Sequence, residues 1–152
     1  MNEIKQIKVN AIKNGTVIDH IKAGTGLKVI NILKLKQSDV IMLGINLKSN
    51  KIGKKDILKI ENRELTHDEV NIIALIAPNA TLTIINNYEV TQKQSLMMPK
   101  IIKELIVCPN PKCITNLESI TSRFELTEEK TGTIRCGYCE KKYQVDDVSI
   151  KI

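Results

Sequence analysis

The chain has 152 residues, 42% hydrophobic, 26% charged and 3% aromatic, with a formal net charge of +6, which allows one ordinary domain or two small ones. Its longest apolar run, Ile72 to Ala77, is far shorter than the ~20 residues a membrane span needs, and the charges Glu3, Lys5 and Lys8 exclude a signal-peptide core at the start, so a cytoplasmic location is expected. The positive charge invites a nucleic-acid reading, but 20 of the 23 cations are lysine, whereas arginine does most base reading, and a lysine-rich chain is also what coding bias produces.

In chain order, Ile7, Val9 and Ala11 alternate as in a half-buried strand. Asn14-Gly15 signals a tight hairpin, and "TVIDHI" is the returning strand. Gly24 and Gly26 break it, and a helix comes next with Leu27, Ile30 and Leu33 near one face. Gly24-Thr25-Gly26 lacks the third glycine and the distant acid of a dinucleotide fingerprint. "VIMLGINL" is a strand, Lys48-Ser49-Asn50 a turn, and "KKDILKIEN" the next strand. Thr66 opens a second helix with Glu69 three residues on as a capping box. The body of that helix, "VNIIALIA", is apolar almost all round and therefore buried. Pro78 stops it, and "ATLTIINNYEV" is one last strand. The order implies an α+β domain of ferredoxin-like type over residues 1–91, two helices on one face of an antiparallel sheet. Residues 92–99 are expected as a linker, with Leu96, Met97 and Met98 as an interdomain packing plug.

The chain has no cysteine before Cys108; then Cys108 and Cys113 are followed by Cys136 and Cys139. Two short-spaced pairs separated by 22 residues match a tetrahedral zinc site made of two knuckles. Pro109 and Pro111 stiffen the first loop, and Gly137 lets the second turn tightly. The alternatives are a disulfide pair, disfavoured in a cytosolic chain, or four buried thiols. Four protein ligands leave no open position, so one zinc per chain is expected to be structural. Residues 100–152 are thus expected as a small all-β zinc-bound domain, its strands over Leu105–Val107, Ser122–Leu126, Thr133–Arg135 and Lys142–Val145, with Thr131-Gly132 turning between the second and third. Nine cations and eight acids in this segment give +1, and four thiolates with Zn(2+) bring it to about −1. A near-neutral ribbon is a poor phosphate binder.

No catalytic set emerges. His67 falls inside the capping box and is expected to be solvated. Neighbours Asp19 and His20 on a strand should point to opposite faces and form no dyad.

Taken together, "AIKNGTVIDHI", "GKKDILKIEN", "APNATLTIINNYEV", "LIVCPNPKCITN" and "CGYCEKKY" are collinear with the regulatory chain of aspartate carbamoyltransferase, and the chain resembles that family over nearly its whole length. The resemblance implies a non-catalytic subunit whose N-terminal domain binds ATP or CTP and pairs with its twin as a homodimer. Its zinc domain would grip the catalytic chain, with Asn110 and Glu140 near the contact, in an enzyme of pyrimidine biosynthesis. It also implies a nucleotide site. Val9, Ile12 and Val17 would line the base pocket, and the backbones of Ile12, Ile85 and Tyr88 would read the base edge. Asp19 and Lys59 would hold the ribose. His20, Lys55 and Lys93 would face the phosphates beside Val90. Thr83 stands where better-known members carry asparagine, and Lys112 replaces an asparagine in the first cysteine loop. Without that resemblance, each lysine here also reads as an exposed strand charge. Two other readings stay open from the residues alone. One is a zinc-ribbon nucleic-acid module, which wants a basic, aromatic ribbon. The other is a small-molecule enzyme, for which the chain supplies no chemistry.

Overall fold

A computed structural model of the chain describes residues 11–151. The strand expected in "IKVNAI", residues 7–12, therefore lies, except for Ala11 and Ile12, outside the described residues, as does Val9; Ala11 and Ile12 themselves are not in a strand. The N-terminal half runs β1 (Gly15–Lys22), α1 (Gly26–Ile32), β2 (Ile41–Ser49), β3 (Gly53–Glu61), α2 (His67–Ile76), β4 (Thr81–Asn86) and β5 (Glu89–Ser95). Among the described residues these strands form one antiparallel sheet in the order β2-β3-β1-β4-β5. Both helices pack on one face. Alternation along each strand fixes that face: Ile18 lies opposite Leu58 and Leu82, and all three are buried under the helices. Val17, one residue back, faces the other way with Lys59 and Thr83.

Local chemistry sets the element ends. Thr66 Oγ1 accepts the Glu69 N–H at 3.2 Å and Glu69 Oε1 accepts the Thr66 N–H at 3.1 Å, the expected capping box. Gly15 begins β1 at φ +142°, and a Cβ there would overlap the Ile60 carbonyl oxygen, so only glycine fits. The stripe of α1 differs from expectation. Leu27 is 58% exposed, and Gly26, Val29 and Leu33 carry the burial. The cause is the Asp56 carboxylate, which holds the Gly24 and Gly26 N–H groups at 3.0 and 2.9 Å and so fixes the rotation of the helix start.

The segment "ATLTIINNYEV" is two strands. Asn87 (φ +50°) and Tyr88 (φ +64°) form a two-residue turn with both residues left-handed, and β5 returns beside β4. Residues 92–95 are thus edge strand, not linker. Only residues 96–100 connect the halves, and they do so unevenly: Leu96 is buried in the first core and Met98 in the second, whereas Met97 is 69% exposed and plugs nothing.

The C-terminal half contains β6 (Ile101–Lys103), β7 (Ile106–Val107), α3 (Ile114–Leu117), β8 (Arg123–Glu128), β9 (Thr133–Cys136), β10 (Lys142–Gln144), a 3-10 turn at Val145–Asp147 and β11 (Ser149–Ile150). Strands β10-β9-β8-β6 form one sheet and β11-β7 a second. Its core gathers Ile102, Ile106, Phe124, Ile134 and Val145 around three of the cysteines. Leu75 of α2 is buried in this second core. Among the described residues no helix is long and apolar enough to cross a membrane.

Candidate functional site

The sheet face away from the helices collects most of the expected nucleotide residues. Lys93, Thr83, Val17 and Lys59 lie in one row across β5, β4, β1 and β3, each directly opposite the next. Residues directly opposite in a ladder share a face, so this row is continuous. Lys93 and Lys59 lie three strand spacings apart in it, about 14 Å at ~4.8 Å each, and Met42 of β2 opposes Lys59 beyond. Ile85 opposes Gly15 on one side and Val90 on the other, which brings Ile85 and Val90 together at the same edge. Ile12 is 3% exposed. Tyr88 sits at the β4–β5 turn, and its N–H donates to the Lys13 carbonyl at 2.9 Å, so its carbonyl is the backbone group it can offer a base.

Asp19, His20 and Lys55 meet where β1 is irregular. The ladder slips between Ile18 and Ile21, and His20 takes φ +56°. Such a bulge breaks the two-residue alternation. Asp19 and His20 therefore do not point to opposite faces, as a regular strand would require. His20 Nδ1 lies 3.1 Å from Thr81 Oγ1, and Thr81 is the ladder partner of Asp19. Asp19 Oδ1 accepts its neighbour's N–H at 2.6 Å and pairs with Lys55 Nζ at 2.8 Å. Burial pushes the Asp19 carboxyl up, but the Lys55 ammonium and the His20 N–H outweigh it and hold it below the usual carboxylate value. Lys59 is lowered, by burial first, with Asp19 opposing and Lys55 adding to the fall. The face therefore keeps its acid ionised inside a cluster of cations, an arrangement that suits a polyanion carrying hydroxyl groups.

Asp56 plays a part that no motif in the sequence announces. It is 1% exposed. Besides Gly24 and Gly26 it accepts the Asn46 N–H at 3.0 Å, so one carboxylate ties the β1–α1 turn to the irregular stretch of β2. An acid inside the apolar run of β3 is the one signal the sequence carries for it.

The second centre is the cysteine cluster. The sulfurs of Cys108, Cys113, Cys136 and Cys139 all lie within 4.8 Å of one another. The Cys108–Cys139 and Cys113–Cys136 separations are both 3.7 Å. A tetrahedron of sulfurs ~2.3 Å from a central ion has edges of about 3.8 Å, so the residues fit such an ion. Crowding of four thiols splits their acidities. Burial and the neighbouring sulfurs push Cys108 up to about 12, whereas for Cys113 burial is overcome by the hydroxyl and N–H of Thr115, which bring it to about 7. A divalent cation removes that conflict by favouring all four thiolates. Asn116, which no spacing or motif marks, clamps the first loop by donating to the Cys108 and Asn110 carbonyls at 2.8 and 2.7 Å. Gly137 lies under the Arg123 carbonyl, where a Cβ would be 3.0 Å away. Asn110 and the exposed Glu140 both lie on the cysteine loops. Asn110 Oδ1 accepts the Lys112 N–H at 3.1 Å, and the Glu140 N–H donates to the Cys136 carbonyl at 3.0 Å.

Comparison with known proteins bears on both centres. The family model described as aspartate carbamoyltransferase regulatory chain, allosteric domain, matches residues 7–97, and that described as the metal binding domain of the same chain matches residues 100–149. Similar curated proteins carry the name aspartate carbamoyltransferase regulatory chain. That of Thermococcus sibiricus is 49% identical, covering 91% of this chain and 92% of its own. That of Pyrococcus horikoshii is 46% identical, covering 94% and 96%, and that of Parabacteroides distasonis 45%, covering 97% and 96%.

Proposed function

The chain belongs to the aspartate carbamoyltransferase regulatory chain family, matched over both its allosteric and its metal-binding parts, and from that premise we propose that it is the non-catalytic subunit that binds ATP or CTP and passes their signal to the catalytic chains of that enzyme in pyrimidine synthesis. Residues 1–91, extended by the rest of β5, form the effector domain, which pairs with a second copy. Residues 100–152 form the domain that docks on the catalytic chain through the cysteine loops, near Asn110 and Glu140. The assembly is cytoplasmic.

The observation that carries the effector reading is the row Lys93–Thr83–Val17–Lys59 beside the Asp19–Lys55 pair and His20. Ile12, Val17 and the Ile85–Val90 edge offer an apolar seat for a base, Asp19 and Lys59 hydrogen-bond a ribose, and His20, Lys55 and Lys93 meet phosphates. Asp19 makes its contacts to His20 and Lys55 through Oδ1, and Oδ2 would meet a ribose hydroxyl.

The metal is zinc, one per chain. An all-thiolate set at tetrahedral spacing suits that ion. When bound it crosslinks the two cysteine loops, and four protein ligands leave no position for substrate, so its role is structural.

ATP and CTP share ribose and triphosphate. Lys93→Ala should therefore weaken both by roughly ten- to a hundredfold, the equivalent of one charge-assisted contact. Ile12→Ala should instead change their ratio. Calorimetric dissociation constants of both nucleotides for both variants test this. Unchanged binding in Lys93→Ala removes the site assignment, and no binding of either nucleotide to the parent chain removes the effector reading.

A further inference from the structure

The connection between the halves is anchored at both ends and untied in the middle. The Leu96 N–H donates to the Ala80 carbonyl at 2.8 Å, and the Leu96 carbonyl accepts the Asn79 N–H at 2.9 Å, which fixes it to the first half. The Lys100 carbonyl accepts the Leu126 N–H of β8 at 2.8 Å, which fixes it to the second. Residues 97–99 lie between these anchors, outside any helix or strand, and among the described residues they make no backbone hydrogen bond. Beside them a cleft of about 830 Å³ opens between the halves. Its buried lining, Leu75, Met98 and Val145, belongs to the second core. Above this the two walls are complementary. The first half presents Ile32, Ile76 and the 45% exposed Ile52, and the second presents the half-buried Val148 and Ile150. The first wall carries Lys22, Lys28 and Lys54 among its cations and no acid, and the second carries Glu129 and Asp146 with Lys130 as its one cation. Among the described residues none of these six charges is in an ion pair. Apolar patches ringed by polar groups have the make-up of an interface, yet here the two surfaces stand apart.

We propose that the halves close this cleft by rotating about residues 97–99, with the contact of Leu75, Met98 and Val145 as the fulcrum. Lys22, Lys28 and Lys54 then pair with Glu129 and Asp146, and Ile32, Ile52 and Ile76 cover Val148 and Ile150. The open arrangement is one of two. Domains joined by a small contact move relative to each other by default, and a short untied segment absorbs the backbone change of a hinge. Surface ion pairs are individually weak, so the closed arrangement is a reversible one that a partner on either half can bias. Closure needs no nucleotide and no catalytic chain.

The test is carbodiimide coupling of the full chain, which joins a lysine amine to a carboxylate only in direct contact, followed by peptide mass spectrometry. An equal mixture of unlabelled and ¹⁵N-labelled chain separates links within one molecule from links between two. The Lys55–Asp19 pair, 2.8 Å apart, is the internal reference. Links from Lys22, Lys28 or Lys54 to Glu129 or Asp146 should form within single chains. Formation of the reference link without any of these, or with only mixed-label ones, overturns the proposal: the cleft then stays open, or its charges pair with a second copy. The double variant Glu129→Lys/Asp146→Lys makes both walls cationic and should raise the radius of gyration in solution X-ray scattering above that of the parent. Adding Lys22→Glu/Lys28→Glu should bring it back and restore coupling across the cleft with the charges exchanged. An unchanged radius in the double variant would mean that these charges draw nothing together, and would equally overturn the closure.

Discussion

Asp56 concentrates three backbone hydrogen bonds on one buried carboxylate, and they join segments distant in the chain: Gly24 and Gly26 at the start of α1, and Asn46 within β2. All three partners are donors, so two acceptor oxygens satisfy them and an amide cannot. Asn at this position would set its own NH₂ against an N–H, leaving donors buried and unmatched. Asp56→Asn should therefore destabilise the N-terminal half by roughly 2–4 kcal/mol. Hydrogen exchange at the Gly24, Gly26 and Asn46 amides checks it. Protection of these three should fall first, and unchanged protection would show that the carboxylate does not hold them. The same residue explains why Leu27 is exposed: the helix start is placed by a polar clamp, and the apolar stripe runs from Val29 onward.

At the scale of elements, the features legible in the sequence are those that local chemistry dictates. The Thr66–Glu69 box, the strands in "TVIDHI" and "KKDILKIEN", and the paired cysteines are each encoded within a few residues. The features that escape it depend on partners distant in sequence. The bulge at His20 arises from the slip of β1 against β3, and it turns an expected outward-inward pair into two neighbours on one face. The Asn87-Tyr88 turn splits a segment that reads as a single strand, because the pairing of β5 with β4 decides the matter and no glycine marks it. Within the C-terminal half, the short strands β6 and β11 are set by their ladder partners alone. This half has a small core, and segments of ~50 residues rarely hold together without a staple. Metal binding in small cysteine domains contributes roughly 10–16 kcal/mol, more than such a core supplies. Cys139→Ala should therefore unfold residues 100–152 and leave β1–β5 folded, since the two cores are separate clusters. Elemental analysis should find the metal lost, and amide protection should vanish for Phe124 and Ile134 while persisting for Ile18 and Leu58. Retained protection at Phe124 would mean the cysteines are not the staple.

At the scale of the whole molecule, the proposed effector reading requires a nucleotide on one sheet face to be felt by a domain whose core is elsewhere. The two cores meet at few places. Met98 enters the second core directly after Leu96 has closed the first, and α2 touches the 3-10 turn at Val145–Asp147. Leu75 joins the two most directly. It lies on α2 between Ala74, which belongs to the first core, and Ile76, which packs against it, yet its own side chain is 1% exposed within the second. A helix turned so that adjacent residues serve different cores cannot shift against one without disturbing the other, because packed interiors have little room to deform. Ile18 of β1 and Leu82 of β4, the strands that carry the proposed effector face, share the first core with Ile73 and Ala74 of α2. On the proposed reading, α2 and the Leu96–Met98 segment are the two links between the effector face and the metal-binding half, and α2 is the one that packs in both cores. Truncating Leu75 leaves a void at the junction and removes nothing from the effector face or the cysteines. Coupling between sites is typically ~1–3 kcal/mol, small enough for a loosened junction to dissipate. Leu75→Ala should keep nucleotide dissociation constants within about twofold of the parent and keep its metal. In the enzyme reassembled with catalytic chains, it should shrink the effect of ATP and CTP on activity toward none. A full-sized nucleotide response in that assembly would place the coupling elsewhere, and lost nucleotide binding would mean that α2 supports the effector face itself.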